Sequence, residues 1–151
     1  MVDKEKRWLA LYLLCLGELM IVLDTTIVNV ALPSIQTDLD GSISGLQWTV
    51  GAYTVVMASL LMFSGSIADR FGRKRILMLG VSIFTLGSLM CGLAPSIGFL
   101  IAARILQAVG GSMMNPVAMS IITNTFTDPR ERAQAIGVWG AVFGVSMALG
   151  P

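Results

Sequence analysis

Glu18, Asp24 and Arg104 stand inside long apolar runs, where ionisable side chains are rare. One such group in mid-bilayer costs about 2.5–3.5 kcal/mol on insertion scales, so each requires a partner or a water-filled cavity. An acid held there can carry a proton, and a guanidinium can hold the carboxylate once that proton leaves. Helical spacing gives these groups polar company. At about 100° per residue, Glu18, Thr25 and Asn29 fall on one stripe, with Asp24 roughly a third of a turn away. Arg104, Gln107, Gly111 and Asn115 also share a face. Two polar stripes on apolar helices read as the walls of an aqueous path, with Glu18, Thr25, Asn29, Gln107 and Asn115 as candidate cavity residues. Two blander readings stay open: an Asp24–Arg104 pair that only fixes packing, and a Glu18 that faces a neighbouring helix.

The elements that must position these groups are transmembrane helices. Of 151 residues, 55% are hydrophobic and 13% charged, about half the charge of a soluble domain, with a mean hydropathy of +0.80. Uncharged stretches place helices at about 8–32, 46–68, 76–93, 97–122 and 133–151, the fifth cut short at Pro151. Ala94-Pro95-Ser96 breaks the run that would otherwise be too long for one span. The expected fold is therefore all-α, a polytopic membrane bundle of four complete helices and a truncated fifth. A cleaved signal peptide is the alternative for the first run, but its apolar part exceeds the roughly 7–15 residues of a signal h-region and lacks a small-residue cleavage site.

Positive charge orients the bundle. Lys4, Lys6 and Arg7 precede helix 1; Arg70, Arg73, Lys74 and Arg75 fill the helix 2–3 connection; Arg130 and Arg132 fill the helix 4–5 connection. The segments 33–45 and 94–96 hold no base, so the positive-inside rule puts the N-terminus in the cytoplasm of a cell membrane. On this scheme Asp24 lies about 12 Å and Arg104 about 10 Å inward from the same face, so they meet if their helices are neighbours. Glu18 lies about 9 Å deeper than Asp24.

Other chemistry is disfavoured. There is no His, hence no imidazole base, His-ligated metal or Ser-His-Asp triad. No G-x-x-x-x-G-K-[ST] string offers a phosphate cradle. Cys15 and Cys91 both lie in apolar runs and suggest no disulfide framework. A net charge of +1, with bases not spread over one face, argues against nucleic acid. No enzyme, cofactor or metal site is expected; the expected partners are the bilayer, protons and a small-molecule substrate.

Several strings resemble a known family. Leu23-Asp24-Thr25-Thr26-Ile27-Val28-Asn29-Val30-Ala31-Leu32-Pro33 resembles the first-helix signature of the fourteen-helix drug:proton antiporter branch of the major facilitator superfamily. Gly65-Ser66-Ile67-Ala68-Asp69-Arg70-Phe71-Gly72-Arg73-Lys74-Arg75 looks like the superfamily's helix 2–3 signature. Arg104-Ile105-Leu106-Gln107-Ala108-Val109-Gly110-Gly111 is similar to the helix 4 signature of proton-coupled members. Gly137, Ser146, Gly150 and Pro151 fit the opening of the helix 5 antiporter signature, with Ser146 in place of the usual Gly.

The resemblance implies a multidrug exporter, of which this chain is the N-terminal part, lacking helix 6 and the second half and unable to transport alone. It implies proton coupling at Asp24 and Arg104, and a gating latch in which Asp69 docks on the second half while Arg70 and Arg73 form ion pairs. Gly65 would let helix 2 approach a neighbour, and Gly72 would allow a strained turn. A simple cationic anchor on the inner leaflet is the alternative for the four bases. Gly137, Gly140 and Gly144 form either a proton-tight pivot or an ordinary helix contact. Met113, Met114 and Met119 are pocket-softening residues or, more simply, filler. Glu18 is the candidate for meeting a lipophilic cation. The rival functions are an importer or facilitator of small solutes and a non-transporting membrane fragment.

Overall fold

The computed structural model describes residues 3–150. Five helices follow in order: α1 Lys4–Asp38, α2 Ile43–Phe71, α3 Arg73–Gly92, α4 Ile97–Thr125 and α5 Pro129–Leu149. Each is long and apolar enough to cross a bilayer. Helices are the natural solution because hydrocarbon supplies no partner for backbone N–H and C=O groups. The outer surface is inverted relative to a water-soluble protein: Leu9, Leu13, Met62, Phe63 and Met78 are all exposed. Arg104 and Gln107, by contrast, are buried.

Local chemistry sets the helix starts. Ser42 Oγ accepts from Gly45 N at 3.1 Å, and Ser96 Oγ accepts from Phe99 N at 3.3 Å. Asp128 Oδ1 accepts from Arg130 N at 2.8 Å and Glu131 N at 3.2 Å, with Pro129 in the first turn. Asp128 is thus a helix cap.

The helices outrun the apolar stretches. α1 begins four residues before Trp8 and continues through Pro33 to Asp38, and α5 begins at Pro129 rather than 133. Between α2 and α3 the connection is one residue, Gly72, at φ +99°, a conformation that side chains resist. Arg70 therefore closes α2, while Arg73, Lys74 and Arg75 open α3; none lies in a loop. Arg130 and Arg132 likewise belong to α5.

α4 is the hub. Twelve of its residues are buried against two in α5, which places α4 in the centre and α5 at the edge. The α3–α4 contact is backbone on backbone: a Cβ at Gly110 would collide with Phe84 N and Gly80 O, and one at Gly87 would stand 2.8 Å from Gln107 N. Small residues at such crossings replace the hydrophobic drive that lipid removes.

Pro116 lies inside α4 and has no N–H for the Ser112 carbonyl one turn back. α2 supplies the missing donor: Ser64 Oγ, itself buried, lies 2.7 Å from Ser112 O. It also lies 2.8 Å from Leu61 O in its own helix, so one hydroxyl proton has two acceptors.

At the basic end, α1 and α5 are clamped. Arg7 Nη1 donates to Glu131 Oε2 at 3.1 Å, and Lys4 Nζ stands 3.6 Å from Glu131 Oε1. Trp8 meets Phe126 edge-on with centroids 5.4 Å apart, above a cluster of Leu11, Leu14, Ile122 and Ala135.

Candidate functional site

Asp24 comes from the C-terminal half of α1 and Arg104 from the second turn of α4, and their side chains meet. Arg104 Nη1 donates to Asp24 Oδ2 at 2.5 Å. Gln107, one turn along α4, closes a three-membered ring: its Nε2 donates to Asp24 Oδ1 at 2.7 Å, and its Oε1 accepts from Arg104 Nη1 at 2.8 Å. The Arg104 side chain is 1% exposed and that of Asp24 17%. Both carboxylate oxygens therefore have a donor, in a place with little water.

Two further groups enclose the ring. Tyr53 of α2 lies against the guanidinium, with Arg104 Cζ 4.0 Å from the ring centroid, a cation–π contact. Cys91 Sγ of α3 lies 3.7 Å from Gln107 Oε1. Four helices thus surround one ion pair.

Beside this layer lies a cavity of about 420 Å³ between α1, α2, α4 and α5. Glu18, Thr25, Tyr53, Met57, Asn115 and Phe143 are among its lining residues. Glu18 is 3% exposed and has no ion-pair partner among the described residues. Thr25 turns its hydroxyl proton to Ile21 O at 3.0 Å.

The polar stripes sort differently from the expectation. Glu18, Thr25 and Asn115 do line the cavity, whereas Asn29 and Gln107 do not. Asn29 sits one turn beyond Thr25 along α1, in a separate groove with Leu32, Leu46 and Gln47. Gln107 is fully buried in the ion-pair layer instead. Spacing gives an azimuth about one helix axis; it does not say which neighbour lies opposite. Tyr53 was missed because a tyrosine in the uncharged α2 stretch carries no charge to single it out. Gly111 makes room for it, since a Cβ there would stand 3.3 Å from the Tyr53 hydroxyl.

The remaining candidates divide in the same way. Asp69 Oδ1 accepts from Arg73 Nη2 at 2.9 Å and Nε at 3.1 Å, and Arg73 Nη1 reaches Ser120 O on α4 at 3.4 Å. Arg70 lies over Phe71 and forms no ion pair among the described residues. No described atom lies within 4 Å of a Cβ built on Gly65, Gly137, Gly140 or Gly144, so the close approaches expected of these glycines do not occur within the described residues. A Cβ on Gly150 would collide with Thr26 of α1. Ser146 is buried and donates to Val142 O at 2.6 Å, whereas Pro151 lies outside the described residues. Met114 packs with Ile21 and Phe84, so it is core.

The Major Facilitator Superfamily profile matches residues 14–151. The chain belongs to the Major Facilitator Superfamily. Its relatives in the superfamily include the puromycin resistance protein pur8 of Streptomyces alboniger, 45% identical over 96% of this chain and 29% of that protein. The multidrug efflux pump LfrA of Mycolicibacterium smegmatis is 40% identical over 97% of this chain and 29% of its own length. The riboflavin transporter RibZ of Clostridioides difficile is 37% identical over 97% and 32%. Among solved structures, a bacterial homologue of the human lysosomal transporter Spinster, inward-facing and unoccupied, superposes with a TM-score of 0.82 at 30% identity over 95% of this chain and 30% of that one. The chain thus spans about 30% of the superfamily relatives it matches.

Proposed function

We propose that this chain is the N-terminal part of a proton-coupled exporter of amphipathic, cationic drugs, of the fourteen-helix antiporter branch. Its basic end faces the cytoplasm of a cell membrane. The observation that carries the reading is the buried Asp24–Arg104–Gln107 ring beside a cavity that holds a second, unpaired acid, Glu18. Proton uptake weakens the tie between α1 and α4, and proton release restores it; either event biases the bundle between two orientations. Glu18 attracts the cation. The abundance of drug-resistance proteins among the relatives favours export.

The test is Asp24→Asn in the complete protein reconstituted in vesicles. Drug-driven proton movement should disappear while the protein still reaches the membrane; undiminished proton movement would overturn the assignment. A second reading, a transporter of small neutral or anionic solutes, is favoured by the riboflavin transporter among the relatives. Counter-flow of a cationic dye under an imposed pH gradient separates the two: the exporter accumulates dye against the gradient, and the alternative does not.

A further inference from the structure

Two polar side chains on the cavity wall have no partner in the protein. Glu18 of α1 is buried and Asn115 of α4 is half-buried, and both line the cavity. Neither side chain makes a hydrogen bond or an ion pair among the described residues. Their polar atoms are not sealed in the packing, for none of them is among the buried atoms left without a partner. The two residues also share the wall of a smaller pocket, about 40 Å³, between α1, α3 and α4, so they stand together on one stretch of the α1–α4 seam. Asn115 lies about 12 Å along α4 from Gln107, and the ring at Asp24 does not serve it.

Within a bilayer an unpaired polar group is costly, and the cavity is where these two can find a partner. An ionised carboxyl only accepts hydrogen bonds, and an amide has an accepting oxygen beside its N–H donors. What the pair offers a cation is therefore two acceptors. A cation with two N–H bonds can donate one to Glu18 and one to Asn115. A quaternary cation presents only C–H surface and satisfies neither.

We infer that Asn115 is a specificity-determining residue of this cavity, whose amide oxygen accepts an N–H from a protonated primary or secondary amine, or an amidinium, while Glu18 balances the charge. Met57 and Phe143 meet the apolar body of the compound. The inference rests on the cavity being the cation site of the preceding reading. It narrows the substrate class from lipophilic cations in general to those with at least two N–H bonds at the charge.

The experiment compares the 3,3-diphenylpropylammonium ion with its N,N,N-trimethyl derivative, each carrying one positive charge near neutral pH. Their Kd values are measured by calorimetry on the complete protein in detergent, for the wild type and for Asn115→Leu, which keeps the side-chain size. Asn115→Leu should weaken the primary amine about tenfold or more, the worth of one hydrogen bond from a charged donor, and change the trimethyl compound by less than about threefold. Asn115→Ala, expected to give the same pattern, takes its place should the leucine variant not fold. An unchanged Kd for the primary amine, or an equal loss for both compounds, overturns the role of Asn115 alone. So does a wild type that binds only the trimethyl compound. Wild-type protein that binds neither overturns the cation-site reading and this inference with it.

Discussion

Asp24 has a donor on each carboxylate oxygen, and the two donors are not equivalent. Arg104 brings charge; Gln107 brings direction, since it accepts from Arg104 while donating to Asp24. Removing one partner of a buried pair leaves the other charge uncompensated, so Arg104→Ala should cost about 3–5 kcal/mol, read as a lowered thermal midpoint in detergent. Adding Asp24→Asn to that variant should recover part of the loss. Gln107→Leu should cost less, about 1–3 kcal/mol, because Asp24 keeps its main partner. The shared depth of Asp24 and Arg104 was legible in the sequence, as the membrane turns residue count into a ruler, but that their helices are neighbours was not. Gln107 and Tyr53 were not, because their placement depends on how α1, α2 and α4 are rotated against each other. Gly111, beside the Tyr53 hydroxyl, is one place where α2 meets α4, and no single helix encodes that meeting.

Among elements, α4 carries two features with opposite consequences for substitution. Gly110 meets the α3 backbone, so Gly110→Ala should push α3 and α4 apart and lower the thermal midpoint. Gly98, in the first turn of the same helix, has no described atom within 4 Å of a Cβ built on it, and Gly98→Ala should stabilise by up to about 1 kcal/mol through helix propensity. Pro116 gives a sharper check. With Pro116 present, Ser64→Ala leaves the Ser112 carbonyl buried without a donor and should cost about 1–3 kcal/mol. In a Pro116→Ala background the α4 backbone can supply its own donor, so the same Ser64→Ala change should cost clearly less. Equal costs in both backgrounds, measured by chemical or thermal unfolding, would refute the compensation. The number and order of helices could be read from uncharged runs, but their ends could not. Hydropathy reports where hydrocarbon stops, whereas hydrogen bonding continues into the charged residues at the surface, as Arg73 to Arg75 and Pro129 to Arg132 do.

At the scale of the whole molecule, the five helices are tied at different levels: the Arg7–Glu131 clamp at the basic end, the Asp24–Arg104–Gln107 ring toward the other. Both join α1 to a later helix. Glu131→Gln keeps the shape but removes the charge, and should weaken the α1–α5 tie by about 1–2 kcal/mol, seen as slower disulfide cross-linking between cysteines introduced on the two helices beside it. The helix 5 glycines remain uncovered within the described residues, as do many large apolar side chains, Met147 and Val145 among them. Helix identity and membrane class follow from composition, but the covering of these faces is decided by whatever chain lies against them.

The junction at Gly72 has one further effect. A single residue joins α2 to α3, and its backbone sits where other residues fit poorly. There is no slack in such a joint. The two helices are linked like the legs of a pair of compasses: where the end of α2, the helix that bears Tyr53 and Ser64, goes, the start of α3 must follow, while the angle between them can still open or close at the glycine.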